Sequence, residues 1–431
     1  MLRVGITGDD TNDAHFTHIP QIDLRDHVSV TVVPCQTVQE YEDKVAEHQG
    51  SEHNKLYQEL DVRPPWRITI LRPSSNDDAV LSQLKGQEDV FFAFHHSLMD
   101  GTGGRQFHEM LLSAFVHHDK ETLSDEPAHI LSFPEPPSLP EPQEAVINFT
   151  VSFRFMISVL WNHFAPWFLK PAKQPVWNAT PVNFSLPYKT RIKPIDISPE
   201  TLSVLLAACR SHSVTLTALL HSFVLTSLAT RVSSPIEAPA FAAGTPISLR
   251  PFLSPALMNP AHASSLRCLV STCDHRFSPE RVSALRAPDA DTNALIWENA
   301  QHAKGELAAK LSTTPKDDIV ALLKFIGDWA AFWRGRDGKP RTESWEISNI
   351  GVLKNVDADA GGPKATRMLF TNGAMAAGPP MGIDVASVAG SKLTIGLSWQ
   401  DKVVEDELMD QLAGDLSAYA AKFRETGSSF V

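Results

Sequence analysis

The 431-residue chain has little cysteine. Its four thiols, Cys35, Cys209, Cys268 and Cys273, are far apart or unpatterned, with no CxxC pair. That excludes a disulfide framework and a cysteine-based zinc site, and fits reduced intracellular thiols. The N-terminal stretch MLRVGITGDDTND lacks the apolar core of a secretory signal. No run of about 18 apolar residues occurs, so no membrane-spanning helix is expected, and the cytoplasm is the expected compartment. Excess positive charge is missing too. The formal net charge is −12, which argues against a general nucleic-acid or anionic-membrane surface. A polyanionic ligand would need a local basic pocket. There is no internal repeat, so a solenoid is excluded.

What is present is ordinary globular composition, 43% hydrophobic and 20% charged. The length allows a large core and two or three domain-sized units. The longest apolar stretch, residues 146–169, is interrupted by Arg154, Asn162, His163 and Pro166. A buried or groove-facing helix is expected there; an interfacial membrane contact is the alternative.

VSVTVVPC (28–35), WRITILRP (66–73) and VFFAF (90–94) read as strands, and VQEYEDKVAEHQ (38–49) and RQFHEMLLSAFVHH (105–118) as helices. Proline-rich FPEPPSLPEPQE (133–144) and KPAKQPVWNATPVNFSLP (170–187) read as linkers. They divide the chain into residues 1–175 and 176–431. In the second part, Ser198-Pro199-Glu200 reads as a helix start, and Thr215 or Thr217 as the cap of another helix. Strands are expected over 241–253, 344–356 and 392–401, a long helix over 293–334 and a closing helix over 405–423. Strands and helices without strict alternation predict an α+β fold.

The segment HHSLMDGTGG (95–104) follows the strand-like run VFFAF. Three chemistries compete for it. A phosphate cradle would use the glycines and a following helix N-terminus, but there is no full GxGxxG and no Lys-Ser/Thr. A metal site could draw on His96, Asp100 and His108, but lacks HExxH or cysteine support. General base catalysis needs a histidine on a rigid strand end beside a turn that lets substrate come close to the main chain. A histidine pair hydrogen-bonded inside a core is the structural alternative.

His95-His96-Ser97-Leu98-Met99-Asp100-Gly101 matches HHxxxDG, and the chain thereby resembles the CoA-dependent acyltransferase superfamily. PPWRITIL (64–71), FHEMLLSAF (107–115), CRSHSVTLTALLHSFVLTSLA (209–229), GTPISLRPFL (244–253) and WEISNIGVL (345–353) extend the likeness in order along almost the whole chain. SNIG stands where plant-type members carry DFGWG, so the chain is most similar to fungal alcohol O-acetyltransferase-like proteins, with condensation domains as more distant relatives. Such proteins usually begin with a strand and helix ahead of the stretch that MLRVGITGDD resembles. The resemblance therefore implies an N-terminal lobe lacking that segment, with an exposed sheet edge.

The implied fold is chloramphenicol-acetyltransferase-like, with two lobes, each a sheet backed by helices, and a channel between them. The implied reaction moves an acyl group, foremost acetyl, from CoA to a hydroxyl-bearing small molecule of secondary metabolism. His96 is the implied general base. His95 and Asp100 are implied to be structural, with Asp100 paired to Arg250. Gly101 keeps the turn open and offers an N–H to the thioester oxygen. Ser348 and Asn349 are candidates to line the channel or to make strand-end hydrogen bonds. Lys354, Lys364, Arg367 and Lys392 are candidate partners for CoA phosphates. No metal or permanently bound cofactor is implied; acetyl-CoA or another acyl-CoA is a co-substrate. A monomer without nucleic-acid partners is expected, with a peripheral membrane contact as an option. The alternatives are N-acyl or condensation-type transfer from a carrier-bound thioester, and a non-catalytic truncated relative.

Overall fold

Alternating apolar residues and proline or aspartate stops cut the first half into short strands. In a computed structural model, which describes residues 1–117, 129–169, 174–232, 236, 238–254, 265–355 and 362–431, β1 (Val4–Thr7) pairs with β2 (His15–His18), and β3 (Gln21–Asp23) with β7 (Ile130–Ser132). A three-stranded sheet joins β4 (Val28–Pro34), β5 (Trp66–Ser74) and β6 (Asp89–Phe94), parallel between the first two and antiparallel between the last. α1 (Val38–Asn54) and α2 (Asp78–Leu84) back it, closing a small core of Val33, Cys35, Tyr41, Val45, Leu71, Val80 and Leu84. A second small core gathers Val4, Ile19, Ile22, Trp66, Leu98 and Met99. Thr37 and Asp77 cap the two helices with side-chain oxygens. α3 (Gly101–His117) and the one-turn α4 (Gln143–Val146) complete this lobe.

The second lobe is a six-stranded mixed sheet in the order β10 (Val270–Phe277), β9 (Phe241–Ser248), β11 (Trp345–Leu353), β12 (Met381–Val388), β13 (Leu393–Gln400) and β8 (Thr190–Ile197). β11 runs parallel to both β9 and β12; the other pairs are antiparallel. One continuous core joins this sheet to α6 (Pro199–Ser211), α7 (Leu216–Arg231), α8 (Pro279–Arg286), α9 (Thr292–Thr313) and α11 (Asp406–Thr426). Ser198 caps α6, with Pro199 in its first turn, and Thr215 caps α7. No single described helix is long and apolar enough to cross a membrane; α6 and α7 together pass on composition, but they are bent by 99° and α7 is buried over Ala218–Ala229.

Three expectations change. The helix expected over 293–334 ends at Thr313, because Pro315 holds Thr314 in extended backbone. A 3-10 turn and the short α10 (Trp329–Arg334) follow. The helix after the histidines starts at Gly101 rather than 105, so the glycines lie in its first turn. The third concerns α5 (Phe153–Phe164), expected to be buried or groove-facing: none of its described residues is buried. Its apolar stripe points outward because periodicity fixes a stripe but not which way it faces. His118, residues 170–173 of the linker and Val356 lie outside the described residues.

Candidate active site

β6 ends at Phe94, and a tight turn follows. His95 N–H donates to the Pro65 carbonyl at 2.9 Å, and Leu98 N–H donates to the His95 carbonyl at 3.0 Å. Leu98 and Met99 are fully buried and anchor the turn in the first-lobe core. The two histidines between these anchors are exposed. His95 Nδ1 lies 2.8 Å from Ser97 Oγ, and its ring meets Tyr57 edge-on. Partial desolvation, with His96 beside it, holds the His95 imidazole below its usual pKa. His96 forms no hydrogen bond among the described residues, so both ring nitrogens are open.

Asp100 is the fixed point of the segment. Arg250 Nη1 donates to its Oδ2 at 2.7 Å and Nη2 to its Oδ1 at 3.0 Å. Leu269 N–H donates to Oδ2 at 3.0 Å, and Gly103 N–H to Oδ1 at 3.0 Å. The last bond caps α3. The side chains are only 4% and 10% exposed, so this is a buried bidentate pair bridging the lobes. Both oxygens are fully engaged, which leaves Asp100 no role as a metal ligand. Among the described residues no group of three or more His, Cys, Asp or Glu is placed to hold a metal ion.

The glycines permit close approach. A Cβ on Gly101 would lie 2.7 Å from both Ile350 Cγ2 and Phe370 Cζ, and one on Gly103 2.8 Å from Met99 Cβ. Second-lobe side chains therefore press directly on the start of α3. Gly101 N–H is among the first-turn donors that a helix leaves without an internal acceptor.

SNIG forms a bulge on β11. The register with β12 shifts between Asn349 and Val352, and Gly351 takes φ +82°. Asn349 Oδ1 accepts from Gly351 N–H at 2.9 Å, while its Nδ2 donates to Thr217 Oγ1 at 3.1 Å. Asn349 thus takes the hydrogen-bonding alternative and holds the bulge. Ser348 is half-buried and its hydroxyl makes no hydrogen bond among the described residues.

Of the four candidate cations, Arg367 bridges Glu42 and Asp196, and Lys392 pairs with Asp196 at 2.8 Å. Lys354 and Lys364 are exposed and form no ion pair among the described residues.

Several contributors escaped the sequence reading. Ile350 and Phe370 define the contact with Gly101, and Arg267 and Leu269 bind Asp100 or Arg250 through backbone atoms, which no residue type announces. Glu346 had a readable signal: alternation puts it on the face of Ser348, opposite Trp345 and Ile347 in the core. Burial pushes its carboxyl up to about 7. Glu343 is also pushed up to about 7, by burial and then by the nearby Asp274 and Glu346 charges. In the first lobe, burial pushes His108 and His53 down to about 4. His53 Nε2 lies 2.8 Å from Thr371 Oγ1, and Gln49 Nε2 donates to the same hydroxyl at 2.6 Å. These contacts tie α1 to the second lobe.

The sequence model of the alcohol acetyltransferase family matches residues 36–412. A protein named as a probable alcohol acetyltransferase in Fusarium pseudograminearum is 28% identical over 420 residues, covering 97% of this chain and 82% of the relative. One of the same designation in Aspergillus fumigatus is 24% identical over 434 residues, covering 96% and 85%. Among solved structures, the trichothecene 15-O-acetyltransferase of Fusarium sporotrichioides superposes with TM-score 0.64 at 13% identity, covering 95% of this chain and 81% of that one. The first condensation domain of the CDA synthetase gives 0.54 at 11% identity, covering 99% and 85%. At such identities these two likenesses establish the two-lobed fold.

Proposed function

The chain belongs to the alcohol acetyltransferase family, and on that premise we propose that it transfers an acetyl group from acetyl-CoA to the hydroxyl of a small alcohol, with His96 as general base. Acyl transfer to an alcohol is the reaction class of the family. The observation that carries the finer reading is the exposed His96, with both ring nitrogens open, on a turn fixed at one end by buried Leu98 and Met99 and locked at Asp100 by Arg250.

An imidazole can accept a proton near neutral pH. A ring nitrogen of His96 takes the hydroxyl proton as the oxygen attacks the thioester carbonyl carbon. The resulting oxyanion accepts a hydrogen bond from Gly101 N–H. The carbon–sulfur bond then breaks, the carbonyl re-forms as an ester, and the proton passes from His96 to the leaving CoA thiolate. Asp100 and Arg250 are positioning residues: they hold the backbone that carries His96 and Gly101. Lys354 and Lys364 are the exposed cations available to CoA phosphates.

Thiol release from acetyl-CoA in the presence of a panel of primary and secondary alcohols tests this. Acceptor-dependent release is expected, falling by about 10²–10⁴-fold in His96→Ala. Release that continues undiminished in that variant removes His96 from the base role. No release with any acceptor, together with no shift of melting temperature by acetyl-CoA, removes acetyl-CoA as donor.

A further inference from the structure

The surface made by α5 and the segment around α10 has no role in the reaction above. On α5 the exposed residues Phe153, Ile157, Leu160, Trp161 and Phe164 fall at helical i, i+4, i+7, i+8, i+11 spacing, with Phe153 79% and Phe164 73% exposed. They form one stripe pointing away from the protein. Phe168 and Leu169 continue it, exposed at 68% and 52%. In the second lobe Phe325, Trp329, Phe332 and Trp333 are exposed as well. The two stretches are joined at both ends. Ser152 N–H and Oγ–H donate to the Asp317 carboxylate at 2.6 and 2.9 Å, while Val182 N–H donates to the Lys339 carbonyl at 3.0 Å and Gly338 N–H to the Val182 carbonyl at 2.8 Å. Exposed apolar side chains grouped on two segments tied together in this way point to an interaction site.

Charge indicates what covers it. The chain carries a net −12, yet no Asp or Glu occurs from Ala145 to Ile195; Arg191 and Lys193 at the end of that stretch pair with Asp401 and Asp410, whereas Arg154 on α5 stands without a counter-charge among the described residues. Between Lys316 and Lys339 five cations stand against four carboxylates, each of which is held in a bond within the protein. Asp317 binds Ser152, Asp318 binds Ser271 and Lys310, Asp328 caps α10, and Asp337 accepts from Phe184 N–H. Arg154, Lys324, Arg334 and Lys339 are exposed and form no ion pair among the described residues. Apolar aromatics rimmed by free cations complement an anionic lipid interface, where aromatic side chains enter the headgroup boundary and each cation adds attraction. A two-fold second copy would set these cationic rims against each other.

We propose that α5 and the aromatic patch at 325–333 are a docking surface for an anionic lipid membrane. The full chain is sedimented with vesicles of phosphatidylcholine alone or mixed with phosphatidylserine. The expected result is binding to the mixed vesicles, weakened by salt, and reduced about tenfold or more by the paired substitutions Trp161→Ser and Phe164→Ser. These side chains are exposed, so the melting temperature should hold. The pair Lys324→Glu and Arg334→Glu should erase the preference for phosphatidylserine. Folded protein that sediments with neither vesicle overturns the proposal. So does vesicle binding that the Trp161/Phe164 pair leaves unchanged. A dimer in equilibrium sedimentation that the same pair dissociates assigns the surface to a second copy and overturns it equally.

Discussion

In the second lobe six strands press against five helices, and one apolar core runs the width of the sheet; in the first lobe the same task is divided between two small clusters, around Tyr41 and around Leu98 and Met99. The candidate catalytic segment sits on the thinner of the two. Yet its most demanding interaction, the buried bonds to Asp100, is supplied largely by the thicker one. The contrast teaches that the position of His96 is a property of the seam. The lobe with the larger core holds the other in register at the seam, and the geometry of the candidate site is set there.

The largest expected effect comes from breaking the seam's ion pair. Arg250→Ala leaves Asp100 buried without its counter-charge, which costs about 3–5 kcal/mol. Denaturant unfolding should show that loss, with thiol release falling in the same variant. Asp100→Asn, which keeps an oxygen for the cap of α3, should cost less in stability than Arg250→Ala. An Arg250→Ala protein of wild-type stability would refute the seam account.

A smaller effect is expected where the lobes touch without charge. Gly101→Ala places a methyl group against Ile350 and Phe370, an overpacking of about 1–3 kcal/mol. Adding Ile350→Ala should restore part of the loss, and a double-mutant cycle on unfolding free energies measures that coupling. Additive losses would mean that the contact carries no strain.

The lobes also differ in how their stability follows pH. His108 has its folded pKa depressed to about 4. As pH falls below the usual imidazole value of about 6.5, the unfolded chain binds a proton that the folded chain refuses, so stability drops between about 6.5 and 4. Glu346 has its folded pKa raised to about 7. Its contribution is fully present below the usual carboxyl value and is lost as pH rises from about 4.5 to 7. His108→Phe should therefore lessen the loss of stability as pH falls and Glu346→Gln the loss as pH rises, opposite changes of slope over overlapping ranges. Melting temperature across pH 4–8 checks both; changes of slope in the same direction would sink the assignment.

How much of this was legible in residues alone depends on what kind of signal each part leaves. VFFAF, VSVTVVP and WRITILRPS announce strands by branched and aromatic runs. β12, MGIDVASV, does not: it is buried throughout, so it shows no alternation, and its Gly, Asp, Ala and Ser are weak strand formers. The histidine turn stood out by composition, but the Asp100–Arg250 pair came from a family likeness, because 150 residues separate the partners. Ile350 was invisible, since its role is to fill space that a glycine leaves. α5 was legible as an apolar stretch, but the buried or groove-facing placement expected first is not the one it takes.

Of the four hydrogen bonds on Asp100, two come from backbone N–H groups, and Arg250 Nη2 also donates to a backbone carbonyl, that of Arg267, at 3.2 Å. Main-chain groups are carried by every residue type. At the histidine turn the seam therefore asks for few particular letters: an aspartate, an arginine, and a glycine facing Ile350 and Phe370. In an exchange of second lobes, Arg250, Ile350 and Phe370 are side chains that the incoming lobe must supply for the histidine turn to dock.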